Sequence, residues 1–306
     1  MVDNFLAVRP VNGLANRFRV LVAYRILADY LKLPYLVRWD SSVGFDDTKL
    51  SDLLHEPEKK LGFGYVDKSD WNFMRENSFK IDENVIGVSE CDVEQSKHSK
   101  KDAYTGYIMS GSPRRMTSCA SNLPCWSFGS YYESAIPNHK QLYKNLARGI
   151  EVSNYVKQLA SKSLSMFGEN TMGVHIRMGD ATSKQNPKHK YHSISSVSEI
   201  LQTCDRYNDT IYLSTDDESV LDMFCEKLGN KIIYRTKKFV ESNLNERKLG
   251  QLDAMVDMYL LSRTNSMLPT SPSSFGKFAS DMGGELYAKC NMGTQLSSEL
   301  KSIICW

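Results

Sequence analysis

Apolar positions change period several times along this chain, and the changes mark out its elements. Residues 5–9 (FLAVR) are a short apolar run, and Pro10, Val11, Asn12 and Gly13 read as a turn. Apolar side chains then recur at Leu14, Phe18, Leu21, Val22, Ile26, Leu27 and Tyr30, the spacing of a helix face over 14–31. Pro34 ends that helix, and 35–39 (YLVRW) returns to a strand pattern. Strand, loop, helix and strand in this order are the unit from which parallel sheets are built.

Between 40 and 140 no period is sustained. Stretches 46–54, 67–79 and 100–130 mix polar, aromatic and turn residues, and 110–115 (SGSPRR) reads as an exposed basic turn. A helix predicted over 139–163 leads out of this region. Beyond it, strands are predicted at 171–176, 209–213, 231–234 and 266–269, with helices at 197–207, 218–228 and 250–263. Three of these strands run into polar loops that open helices: Arg177-Met178-Gly179-Asp180, Ser214-Thr215-Asp216-Asp217, and Thr270-Ser271-Pro272-Ser273-Ser274-Phe275. Such an order predicts a doubly wound α/β domain with its ligand across the strand tips.

Composition narrows the partners. The 306 residues, 41% of them apolar, suffice for two domains, predicted at 1–160 and 161–306, with the last helix packing back on the first. With 38 basic and 36 acidic side chains the formal net charge is +2, so no basic excess points to a nucleic-acid partner. A mean hydropathy of −0.41 and the lack of any long apolar run predict no membrane span. No basic segment leading into an apolar one opens the chain, and the seven cysteines form neither a CxxC pair nor a cluster with histidine. The expectation is a soluble, cytoplasmic protein with free thiols, and the Asn208-Asp209-Thr210 sequon is read as chance.

Candidate chemistry sits at the strand ends. His175, Arg177 and Asp180 alternate at the end of an apolar strand, and an arginine there can hold a phosphate through its planar fork. An ion pair of Arg177 with Asp180 or Asp216 that only fastens loops is the alternative. Asp217 has the position of an ordinary helix cap. Ser273, Ser274 and Phe275 open a helix, whose N-terminus is either simply capped or an anion site. Asp257, among Met255, Val256, Met258 and Leu260, either faces solvent or turns inward to accept from a base edge. In the first half, Asn12, Gly13, Asn16 and Arg17 open the first helix. The chain has no GxGxxG, P-loop, GxSxG or HExxH motif, and no Asp-x-Asp triplet with which to hold a divalent metal on a diphosphate.

Taken in order, GLANRFRVLVAYRILADYL (13–31), GVHIRMGD (173–180), YLSTDD (212–217) and MVDMYLLSRTNSMLPTSPSSF (255–275) resemble the fucosyltransferases that act on α1,2, α1,6 and protein O-linked sites. The resemblance implies an α/β GT-B fold, two Rossmann-like domains facing across a cleft, with GDP-fucose as donor on the second. It implies Arg177 at the β-phosphate, His175 beside the nucleotide, and Asp257 at the guanine edge. Ser273, Ser274 and Phe275 would then cap the diphosphate, and Asn16 would approach it from the first domain. Met178 stands where the α1,6-type enzymes have a second arginine, and no glutamate follows Asp180 until Glu199. The function expected is an inverting, metal-independent transferase that moves fucose to a glycan hydroxyl, without cofactor. Arg177 is its leaving-group stabiliser, Asp180 the nearest candidate base, and Asp216 a further nucleotide-sugar contact. A different nucleotide sugar, or a non-catalytic binding module, are the alternatives. Trp71, Tyr104, Tyr107 and Trp126 are candidates to stack on the acceptor's sugar rings.

Overall fold

The computed structural model describes residues 6–10, 13–32, 34–40, 48–70, 106–110, 136–178, 194–236, 247–269 and 273–283. Its chain divides into two units, Met1–Asn154 with Leu244–Leu252, and Tyr155–Asn243 with Asp253–Trp306. In the first, β1 (Leu6–Pro10) leads through α1 (Leu14–Leu31) to β2 (Tyr35–Val37). β2 pairs in parallel with β1 and with β3 (Gly64–Tyr65), and β4 (Gly106–Ser110) pairs antiparallel with β1, in the order β3-β2-β1-β4. The periodic residues of α1 are buried except Tyr30, which is exposed at the last turn. Ala15, Val20, Ala23, Tyr24 and Ala28 are buried too, so α1 is enclosed on nearly all sides rather than on one face.

The single helix predicted over 139–163 is two, α4 (His139–Arg148) and α5 (Asn154–Leu164). Tertiary pairing overrides helix continuation between them. The His55 N–H donates to the Glu151 carbonyl at 2.8 Å, the Ser153 N–H donates to the Leu53 carbonyl at 2.9 Å, and Leu54 bridges Val152. Those partners belong to the stretch that shows no sequence period, where α2 (Leu50–Leu53) and α3 (Pro57–Leu61) form.

The second unit carries four parallel strands: β5 (Met172–Ile176), β6 (Ile211–Thr215), β7 (Ile232–Ile233) and β8 (Ser266–Pro269). Their order is β7-β6-β5-β8, so the winding reverses between β5 and β8. In a doubly wound sheet that reversal opens a crevice at the carboxyl ends, where ligands bind. Successive side chains of a strand face opposite ways. Met172, Val174 and Ile176 of β5 and Ile211 and Leu213 of β6 share one core with α6 (Ile194–Asp205) and α7 (Glu218–Leu228). Gly173, His175, Tyr212 and Ser214 take the other face, toward α8 (Arg247–Ser262) and α9 (Ser274–Gly283). Gly173 is needed there, since a Cβ would lie 2.7 Å from Thr264 Oγ1 and 3.1 Å from Leu261 Cδ2.

β6 runs beyond the predicted 209–213 because Ser214 and Thr215 still pair with His175 and Ile176. α6 and α8 likewise begin before the predicted 197 and 250. Cys204 is buried, Cys225 is a free thiol, and among the described residues no helix is long and apolar enough to cross a membrane.

Candidate active site at the strand tips

Arg177 follows β5 directly, with its side chain about half exposed. Its Nη1 lies 3.3 Å from Asp216 Oδ2, and Asp216 Oδ1 accepts the Met178 N–H at 2.7 Å. Asp216 therefore ties the tip of β6 to the tip of β5, which is the loop-fastening alternative left open by the sequence. So exposed an ion pair contributes only about 0–1 kcal/mol. Met178 is buried in the same core as Ile176, so this position serves packing rather than charge. Asp217 does cap α7, accepting the Val220 N–H at 3.1 Å.

His175 is buried, and its ring stacks on Phe275 at 4.8 Å between centroids and 22° between planes. That contact links the end of β5 to the start of α9, on the two sides of the winding reversal. Lys277 donates its N–H to the Ser273 carbonyl at 3.1 Å, closing the first turn of α9. Ser273 is itself buried, and its Oγ has no hydrogen-bond partner among the described residues. The N–H groups of Ser274, Phe275 and Gly276 lack intrahelical acceptors by helix geometry, and the helix dipole is positive at this end.

On the same sheet face as His175, Asp257 is buried within a polar network. Its Oδ1 accepts from the Tyr212 hydroxyl at 2.8 Å and from Arg235 Nη1 at 3.1 Å, and its Oδ2 accepts from Ser214 Oγ at 3.0 Å. The solvent-facing alternative for this acid is thereby excluded. Arg235 also donates to the Asp253 carbonyl at 3.2 Å and, through Nη2, to Asp253 Oδ1 at 2.6 Å. Burial and the adjacent Asp257 carboxylate push the Tyr212 hydroxyl well above its ordinary pKa, so it stays a neutral donor. Burial pulls Arg235 down, but the ion pairs with Asp257 and Asp253 outweigh it and leave the guanidinium above its ordinary value. Sequence reasoning missed Arg235. It stands just past β7, the one strand of the four whose tip was not read as a loop opening a helix.

In the first unit, Gly13 precedes α1 without a side-chain cap, and Asn16 Oδ1 is buried with no partner among the described residues. Arg17 is wholly buried; its Nη1 donates to the Asp40 carbonyl at 2.9 Å, and its guanidinium lies 5.0 Å from the Trp39 ring centroid. Arg9 and Arg38 reach the Asp40 carboxylate through their Nε atoms at 2.8 and 2.7 Å. Arg9 and Arg38 were also unread from sequence, because they stand at two separate strand ends away from Arg17 on its helix. Asn12, Asp180, Thr270, the 111–115 turn, Trp71, Tyr104, Trp126 and the side chain of Tyr107 lie outside the described residues.

No family model matches the chain, and no curated protein matches it by sequence. Solved structures do match its fold. The crystal structure of NodZ alpha-1,6-fucosyltransferase soaked with GDP-fucose aligns with a TM-score of 0.53 at 14% identity, covering 90% of this chain and 91% of that one. Fucosyltransferase NodZ from Bradyrhizobium aligns at 0.53 and 13%, covering 89% and 91%. POFUT1 in complex with GDP-fucose aligns at 0.51 and 10%, covering 92% and 94%. The chain therefore has the α/β GT-B fold of these fucosyltransferases, as its ordered motifs led us to expect.

Proposed function

We propose that this protein is a glycosyltransferase that moves L-fucose from GDP-fucose to a glycan hydroxyl, with inversion and without a metal ion. The observation that carries the reading is the winding reversal between β5 and β8. One side of it presents the cation Arg177, the other a helix N-terminus with a buried serine hydroxyl that has no partner among the described residues, and the His175–Phe275 stack joins them. A diphosphate fits that combination, because both elements favour negative charge and neither needs a metal. The GDP-fucose bound by NodZ and by POFUT1 supports the choice of donor.

In this mechanism the acceptor oxygen attacks the anomeric carbon on the face opposite the diphosphate, and the bond to the diphosphate oxygen breaks. Arg177 leaves Asp216 for the diphosphate, whose charge grows as the sugar departs, so its contact is strongest in the transition state. Ser273 Oγ and the N–H groups of Ser274 and Phe275 hold the remaining phosphate oxygens, and His175 lies beside the nucleotide. Asp180 takes the acceptor proton. Asp257 accepts from the guanine edge. Seven unpatterned cysteines support a reducing compartment for the reaction.

GDP release from GDP-fucose tests the reading. Arg177→Ala should lower kcat by about 10²–10³ while shifting the melting temperature little, since its ion pair is half exposed. Arg177→Lys should recover only part of the rate, having lost the planar fork. A destabilised but active Ala variant would instead assign Arg177 to loop fastening. A parent protein that binds the donor and releases no GDP would be a binding module.

A further inference from the structure

We propose that Arg235 is the positioning residue that keeps Asp257 ionised and oriented for the nucleobase. This inference rests on the proposed role of Asp257 as the base acceptor, and it assigns to Arg235 what that role requires. A carboxylate buried to this depth, with 4% of its side chain exposed, needs a cation close by to remain charged. Among the described residues Arg235 supplies it at 3.1 Å, from a side chain 11% exposed.

The geometry does more than balance charge. Arg235 grips the main chain and side chain of Asp253 together with the side chain of Asp257, so one guanidinium spans a full turn of α8. From β6, the Tyr212 and Ser214 hydroxyls approach the same carboxylate. Asp257 is thus held from β6, from the end of β7 and from its own helix, and its rotamer cannot turn without breaking several bonds. Lysine could not reproduce this, because one ammonium lacks the fork that serves two acids at once.

Among the described residues, the groups facing Asp257 include Tyr212 and Ser214 from β6, Arg235 beyond β7, and Asp253 on α8, with His175 of β5 paired in register to Ser214. Of these, Arg235 is the cation in direct contact. Removing it takes a direct ion pair away from a buried carboxylate, which raises that carboxyl's affinity for a proton. A protonated Asp257 presents one acceptor fewer to a donor-bearing base edge, and base selection falls as pH falls.

The test measures Kd for GDP and for UDP at about pH 6 and about pH 8, in the parent and in Arg235→Gln, Arg235→Lys and Asp257→Asn, with folding checked by circular dichroism. Comparing the two nucleotides cancels the titration of their shared diphosphate, and comparing variants with the parent cancels His175. The parent should prefer GDP at both pH values. Arg235→Gln should approach the parent's preference at high pH and lose it by about tenfold or more at low pH. Arg235→Lys, which keeps a charge, should show a weaker preference that does not depend on pH; it also serves as the folded variant if the Gln form does not fold. Asp257→Asn should lack the preference throughout. An undiminished GDP preference at both pH values in the Arg235 variants, with Asp257→Asn deficient, would overturn the role of Arg235 and leave the base acceptor standing. A parent that binds GDP and UDP alike would overturn the base acceptor itself, and this inference with it.

Discussion

A serine preceding a helix usually accepts a hydrogen bond from the first turn, and its replacement by alanine then costs about 1 kcal/mol. Ser273 has the position but not the bond, and its buried Oγ is without a partner among the described residues. Ser273→Ala should therefore leave the melting temperature nearly unchanged. If the hydroxyl serves the diphosphate, a charge-assisted bond of about 1.5–3 kcal/mol is lost on binding, so GDP affinity should fall by roughly tenfold or more. Calorimetric titration and a thermal melt on the same sample separate the two effects; a lower melting temperature with unaltered affinity would make Ser273 an ordinary cap. Asp217 is the contrast, a residue whose capping role is visible both in the sequence and in its bond to Val220. Local position was enough to read Asp217 as a cap. Arg235 was invisible because Asp257 lies 22 residues away on another element.

At the scale of elements, the strand-to-helix units were legible where apolar spacing was long and regular, as in α1 and β5. The break between α4 and α5 was not, since it is made by backbone bonds to residues 53–55 that no local pattern announces. Gly173 shows how closely α8 and β5 are fitted. A methyl group there would meet Thr264 Oγ1, which itself donates to the Leu261 carbonyl at 2.8 Å. Gly173→Ala should destabilise the fold by about 1–3 kcal/mol through overpacking. At about 2–4 °C per kcal/mol for a unit of this size, a thermal melt resolves the loss. Thr264→Ser frees one methyl but keeps the clashing oxygen, so it should restore only part of that stability.

For the whole molecule, near-neutral charge and a chain of 306 residues leave binding to local groups rather than to a long-range field. With no Asp-x-Asp triplet in the chain, the proposed reaction relies on Arg177 and the start of α9 for the diphosphate charge. GDP-fucose turnover should accordingly persist in EDTA. A loss in chelator that manganese restores would overturn metal independence. By itself the sequence determined which segments become helices and strands in the second half, and that polar side chains gather where strands end, because both follow from spacing within a few residues. Only the tertiary structure decided the order β7-β6-β5-β8, which brings His175 onto Phe275 and Arg235 onto Asp257. Strand order is set by the packing of crossover helices on the two sheet faces, a long-range balance of burial that no local period encodes.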